Sequence, residues 1–278
     1  MNTNKVQVFV FAMLFVVGAF TGCVDEDDET TTDNTIKIGF LNPITGPLEP
    51  DAPGFKWGAD QAISDLSALY PDETFELVEL DSGCSGDVAG PAAQTLVDSG
   101  VVAVVGAACS GASMAANAVL AAAGIPMISY ASTNPGLSDE AQYPHFYRNV
   151  PSDAIQGPAG AAMMADAGVT GNLSILHMTN DYGSGLADSV KAGWEADGHE
   201  LCGAGMQGYA EDTTDFTALA QSIVDDSTCT SVYLSSYITD AAGIIEALKD
   251  KSNFQIPDFR KFILSESFHI LPIEMVLA

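Results

Sequence analysis

The sequence predicts an α/β fold of two lobes with parallel sheets joined by a hinge. Three observations carry this. Short apolar runs alternate with helical stretches from Ile36 onward. Each pair of runs is separated by enough chain for a helix to cross over a parallel sheet. The rhythm restarts after Val150-Pro151, which marks a crossing between lobes. The chain has 278 residues, 47% of them apolar, enough for two medium domains with cores.

The first lobe spans residues 36–150. Ile36–Leu41 reads as a strand, and Asn42–Gly54 is a Pro- and Gly-rich loop. A helix over Phe55–Leu69, a strand over Thr74–Leu80 and a helix over Val88–Asp98 follow. The run Val101–Val105 is short enough for a buried strand. An Ala-rich helix to about Ala123, a strand over Ile125–Ser129 and an extended segment, Tyr143–Asn149, complete the lobe. The second lobe, 151–278, repeats the pattern with helices Asp153–Ala167, Gly185–Ala196, Asp215–Val224 and Asp240–Leu248. Its strands are Leu173–Met178, His199–Gly203, Ser231–Ser235 and Lys261–Leu264. No element returns to the first lobe, so the second reads as incomplete. Trp57 and Trp194 fall on helices and are expected in the core.

Residues 1–22 read as an export signal. Lys5 precedes the apolar run Val6–Phe20, and small residues precede Cys23. The ending A-F-T-G-C resembles a lipoprotein box, which implies a lipid-modified Cys23 and a membrane anchor; an uncleaved anchor is the other reading. Both place the remainder outside the cytoplasmic membrane. Residues 23–35, acidic and Thr-rich, read as a disordered tether. There are 9 Lys and Arg against 37 Asp and Glu, a net charge of −28. This excludes nucleic-acid binding, which needs clustered cations. It suits a saline environment, where screening shortens to about 3 Å at 1 M salt. Outside the cytoplasm cysteines can pair. Cys84, Cys109, Cys202 and Cys229 allow three pairings. Cys84 and Cys109 both follow strands at their carboxyl ends, and the other two lie in the later half. Cys84–Cys109 is therefore favoured, and Cys202–Cys229 with it.

Several motifs do not carry the chemistry they superficially match. Gly203–Gly208 fits G-x-G-x-x-G, but a dinucleotide site needs a helix starting within those glycines. Here a polar loop, Tyr209–Thr214, follows, so a glycine-rich strand end is the better reading. Gly111-Ala112-Ser113-Met114-Ala115 approximates a nucleophile elbow, yet Ser113 is already inside a helix and no acid and His follow in the required order. The four His show no metal-ligand spacing. Asn172-Leu173-Ser174 fits a glycosylation acceptor but sits at a strand start. No motif calls for a metal, a cofactor or a catalytic residue.

The stretch Gly106–Pro135 draws the chain together. It places two strand ends and one helix start side by side, each bearing hydroxyls. Ser110 occupies the expected N-cap position, and Thr133 follows the next strand. In open α/β sheets, ligands bind beyond the carboxyl ends of the strands, where helix N-termini offer free N–H groups to anions. No Lys or Arg lies between Lys56 and Arg148, so an anion there must be held by neutral donors. Tyr182, Tyr237 and Glu266 follow strands of the second lobe at the same end. A carboxylate such as Glu266 is a natural partner for a ligand ammonium. Together these features fit a zwitterion, an α-amino acid.

In these residues the chain resembles the substrate-binding proteins of the branched-chain amino acid ABC transporter family, of periplasmic binding protein type I fold. The resemblance is carried by Ile36–Leu41 with Thr45-Gly46-Pro47, Gly58-Ala59 with Gln61-Ala62-Ile63, Cys109-Ser110, and Ile128-Ser129 with Thr133-Asn134-Pro135. It continues through Gln156-Gly157-Pro158, Tyr182-Gly183 with Gly185-Leu186-Ala187, Asp215-Phe216 and Tyr237. It covers about Ile36 to Phe268. It implies two Rossmann-like lobes, Ser110 and Thr133 holding the α-carboxylate, the Ala131 carbonyl on the ammonium, and Ser132 among the ligand-binding residues. Tyr182 and Tyr237 would close the pocket, and Glu266 would pair the ammonium. It also implies the Cys84–Cys109 bridge and delivery of an amino acid to membrane permease subunits, with no enzymatic step. A sensory ectodomain of the same fold is the alternative. Where branched-chain binders carry a Trp, in the region Glu49–Ala52, this chain has Glu49, Pro50, Asp51 and Ala52, which leaves room for a polar ligand. The family also continues well beyond the Glu266 region.

Overall fold

The computed structural model describes residues 35–169, 171–251 and 276–277. The export signal, Cys23, most of the tether, the strand expected over Lys261–Leu264, and Glu266 lie outside these residues.

Two sheets organise the described chain. The first contains β1 (Thr35–Asn42), β2 (Thr74–Asp81), β3 (Ala103–Val105), β4 (Met127–Ser129) and β5 (Phe146–Arg148), in the order β2-β1-β3-β4-β5. All its pairings are parallel. The helices between strands are α1 (Ala52–Leu69), α2 (Gly86–Asp98) and α3 (Ser110–Ala122). The second sheet has the order β7-β6-β8-β9, from β6 (Asn172–Met178), β7 (Leu201–Tyr209), β8 (Cys229–Ser235) and β9 (Val276–Leu277). Its helices are α4 (Asp153–Asp166), α5 (Asp181–Ala196), α6 (Thr217–Asp225) and α7 (Ile238–Lys249). The β6–β7 and β6–β8 pairings are parallel, whereas β9 joins β8 antiparallel. The sheets are parallel as expected, with this two-residue antiparallel edge strand added to the second. Among the described residues no helix is long and apolar enough to cross a membrane.

Local chemistry accounts for the helix starts. Ser85, Ser152 and Asn180 each stand just outside a helix in extended conformation. Their side chains accept the N–H of Asp87, Ala154 and Gly183, satisfying donors that the first turn leaves unpaired. Ser110 does not do this for α3. Cys109 is the flanking residue, it makes no side-chain cap, and Ser110 is the first helical residue. Its oxygen instead accepts the Asn134 N–H at 3.2 Å.

The two tryptophans part ways. Trp194 is fully buried, stacks on His199 at 4.1 Å between ring centroids, and donates its indole N–H to the Glu200 carbonyl. Trp57, expected in the core, is 68% exposed. The half-buried face of α1 is Phe55, Ala59, Ile63 and Leu66. Two residues along a helix is about 200° of rotation, so Trp57 points away from Phe55. The glycine motif Gly203–Gly208 lies inside β7, which runs on to Tyr209. There is no glycine loop before a helix there, in keeping with the strand reading. Both expected disulfides, Cys84–Cys109 and Cys202–Cys229, are present.

Helices α4 and α5 pack closely because Gly157 lies against α5. A Cβ at Gly157 would stand 2.4 Å from the Ser189 carbonyl carbon, whereas one at Gly58 on α1 would meet nothing within 4 Å. Gly157→Ala should therefore cost about 1–3 kcal/mol through overpacking. Gly58→Ala should gain about 0.5–1 kcal/mol from helix propensity. Urea denaturation of both variants checks the contrast.

Candidate functional site

The site grows from the carboxyl ends of strands in both sheets. Strand order reverses beside β1 in the first sheet and beside β6 in the second, and such switch points are where open α/β sheets bind ligands. The loop after β1 contributes Leu48. The connection from β3 contributes Ala108, Cys109 and Ser110, and the loop after β4 contributes Ala131. From the second sheet come Tyr182, at the start of α5, and Tyr237, just before α7. These seven residues line one narrow gap, too tight for a water molecule.

A knot of buried hydroxyls fixes the first-lobe wall. Ser129 Oγ donates to the Ala107 carbonyl at 2.6 Å and accepts the N–H groups of Ala131 and Ser132. Ser132 Oγ reaches the carbonyls of Ala107 and Ala108 and lies 2.8 Å from Ser113 Oγ. Ser132, expected at the ligand, thus has its hydroxyl turned toward the β3 end. Gly106 opens this turn at φ 113°, and a Cβ there would stand 2.5 Å from the Leu41 carbonyl oxygen. Thr133 does not line the gap either. It is buried one turn of loop behind Ala131, beside Asp153.

The second-lobe wall is aromatic. Tyr182 and Tyr237 are stacked, with ring centroids 5.5 Å apart and planes 14° from parallel. The Tyr237 hydroxyl lies 3.4 Å from Cys84 Sγ across the gap. A disulfide sulfur carries no proton, so Tyr237 is the donor. Burial, then the neighbouring Tyr182, raises the Tyr237 hydroxyl well above its ordinary pKa, so it stays a donor. Leu48, Ala108, Ala131, the Cys84–Cys109 bridge and the two rings make the gap largely apolar. Glu49 and Asp51 are exposed and point elsewhere.

Two charged residues that sequence reasoning passed over support this wall. Arg148, on β5, donates to the Asn134 carbonyl at 2.9 Å and the Ser132 carbonyl at 3.4 Å. The first cation after Lys56 therefore braces the loop from behind. Asp153, at the first turn of α4, is fully buried, and burial raises its carboxyl pKa to about 7 against the opposing effects of Thr133 and Arg148. The run Val150-Pro151-Ser152-Asp153 signalled a helix start but not a buried acid.

Beside the gap lies an open polar hollow of about 520 Å³, lined by Asn134, Pro135, Asp181, Ser184, Gly185 and Asp188 among others. Here the lobes touch directly. Asn134 Nδ2 donates to the Asp181 carbonyl at 2.5 Å.

Comparison with known proteins agrees with this architecture. The family model described as "Periplasmic binding protein" matches residues 35–255. The chain belongs to this family. It is 32% identical over 160 residues to the leucine-specific-binding protein of Salmonella typhimurium, a match covering 57% of this chain and 43% of that one. It is 29% identical over 188 residues to the leucine-, isoleucine-, valine-, threonine- and alanine-binding protein of Pseudomonas aeruginosa, covering 67% and 50%. The matched part thus spans about half the length of these relatives. Among solved structures, the substrate-binding protein LivJ of Streptococcus pneumoniae, in complex with isoleucine, superposes with a TM-score of 0.67 at 25% identity, covering 77% of this chain and 61% of that one. The fold is that of periplasmic binding proteins, α/β with two lobes.

The contact beside the gap depends on Gly185, where a Cβ would stand 2.6 Å from Asn134 Nδ2 and 3.2 Å from Pro135 Cδ. Gly185→Ala should break the Asn134–Asp181 bond and shift the protein toward an open form. Small-angle scattering without ligand should record a larger radius of gyration for the variant than for the parent.

Proposed function

We propose that this protein is an extracytoplasmic solute-binding protein that captures an amino acid between its lobes and delivers it to the permease of an ABC transporter. The observation that carries the reading is the convergence of Ser110, Ala131, Tyr182 and Tyr237, from strand ends of both sheets, on one gap. The amino end of α3 and the Ser110 hydroxyl suit a carboxylate without any cation. The Ala131 carbonyl suits an ammonium, and Glu266 is the charge we assign to complete that grip. Lobe closure by hinge motion accounts for a gap that holds no free space. Capture and release, not turnover, is the activity assigned. Residues 36–150 and 151–278 serve as the two jaws, and Cys23 holds them to the membrane through lipid.

The lining favours an aliphatic side chain. The residues standing where the family's Trp is expected left room for a polar ligand, but Glu49 and Asp51 are exposed while Leu48 faces the gap. The names of the relatives agree: leucine, isoleucine and valine recur among what they bind.

Calorimetric titration against the standard amino acids should find leucine, isoleucine or valine bound, and Ser110→Ala should weaken binding. A hydrogen bond to a charged group contributes about 1.5–3 kcal/mol, or roughly 10- to 150-fold in affinity. If no amino acid binds, or the variant binds as well as the parent while keeping its fold by circular dichroism, the assignment is wrong.

A further inference from the structure

Helix α3 lacks at its amino end what α2, α4 and α5 have. Each of those three begins with a side-chain cap and carries an acid in its first turn, Asp87, Asp153 and Asp181 respectively. Helix α3 has neither, so no acid of its own answers the partial positive charge of its first turn. The second lobe brings one. A Cβ on Gly111, in that first turn, would stand 2.6 Å from Asp181 Oδ2, and the next nearest atoms also belong to Asp181. The Asp181 carboxylate thus lies against bare backbone at the start of α3. Its charge is felt nearby in the first lobe: burial, then Asp181 and Asp139, raises the Tyr143 hydroxyl above its ordinary pKa. The same carboxylate is in the first turn of α5. One negative charge therefore stands between the amino ends of two helices, one from each lobe.

We propose that Asp181 is an electrostatic latch between the lobes: its carboxylate bridges the amino ends of α3 and α5, and Gly111 is the opening that admits it. This rests on the hinge closure assigned above. Two helix amino ends brought together repel each other, and so do two acidic lobes. Asp181 turns the first repulsion into an attraction. Side-chain cations do not do this work. The ion pairs among the described residues, Lys56–Asp60 and Lys191–Glu195, each lie within one helix.

The latch is separate from the Asn134 bond, which uses the Asp181 backbone carbonyl. Glycine weakens a helix relative to alanine, and at Gly111 the missing Cβ is what lets the carboxylate approach. Ser110 lines the gap, whereas Gly111, about 100° further round the helix, meets α5. One helix end thus serves ligand and latch on different sides. Asp181 stays open to solvent, so salt screens the bridge and its effect is largest at low salt.

Removing a negative charge from a chain this acidic should, by repulsion alone, draw the lobes together. The latch predicts the reverse. Spin labels on Ser64 of α1 and Ala196 of α5, both exposed, report the distance between the lobes of the full chain by pulsed electron resonance at low salt. Without ligand, Asp181→Asn should raise the ratio of open to closed molecules about two- to fivefold, the usual strength of a charge at a helix end. Gly111→Ala, which keeps every charge, should raise it by a similar factor, and the double variant no further than either alone. Asp188→Asn, two turns along α5, removes the same charge away from α3 and should not raise it. A ratio that Asp181→Asn leaves unchanged or lowers, or that Asp188→Asn raises equally, overturns the latch. Should circular dichroism show Asp181→Asn to be misfolded, Gly111→Ala decides alone. If no standard amino acid and neither variant changes the distance, hinge closure itself fails and the latch with it. If an amino acid changes the distance and neither variant does, only the latch fails.

Discussion

The buried hydroxyl knot at the ends of β3 and β4 is the constraint on which the site depends. Ser129, Ser132 and Ser113 gather on the carbonyls of Ala107 and Ala108, which would otherwise be buried without donors. Polar groups taken out of water must be paired, and an unpaired one costs about 1–3 kcal/mol. The knot meets that requirement with three side chains, and in doing so locks two loops and one helix start together. Ser110 and Ala131 face the gap because their neighbours are pinned. Arg148 and the Asn134–Ser110 bond extend the same frame toward the hinge.

The second lobe meets this rigid wall with a softer one. The Tyr182–Tyr237 stack offers two large faces with polar tips, a combination that tolerates both contact with the other lobe and contact with a ligand. Tyr237 reaches the Cys84–Cys109 bridge, so the disulfide is part of the gap's lining as well as a staple between the β2 and β3 connections. Outside the gap the lobes also touch directly, through Asn134 and Asp181. Ligand affinity in such a molecule is shared between contacts made to the ligand and the free energy of closure.

Much of the fold was legible because buried parallel strands are written as short apolar runs and helices as longer Ala-rich ones. The strand-end rule pointed to Ser110, Tyr182 and Tyr237, which the structure brings to one gap, and to Thr133, which does not line it; Ala131 entered through the family resemblance. What the sequence hid was direction. Trp57 is aromatic and helical like Trp194, and only the face that α1 presents separates them. Ser132 and Ser129 are alike in sequence, yet the path of the loop commits both to the β3 carbonyls. Strand β7 outran its expected end because Gly203, Gly205 and Gly208 carry no strand signal of their own; pairing with β6 supplies it. Asp153 looked like an ordinary first-turn acid, and its burial comes from loops distant in sequence.

The claim at the centre is that closure of two lobes on an α-amino acid is what this molecule does. Thermal unfolding with and without L-leucine tests it most directly, because a ligand that binds only the folded, closed form stabilises it by mass action. At a hundredfold excess over Kd the stabilisation is about 2.7 kcal/mol, worth roughly 5–10 °C in Tm at about 2–4 °C per kcal/mol. A rise of that size with leucine, and none with an equal concentration of taurine, a zwitterion without a carboxylate, is the result predicted. An unfolding curve that leucine and every other standard amino acid leave unmoved would contradict it.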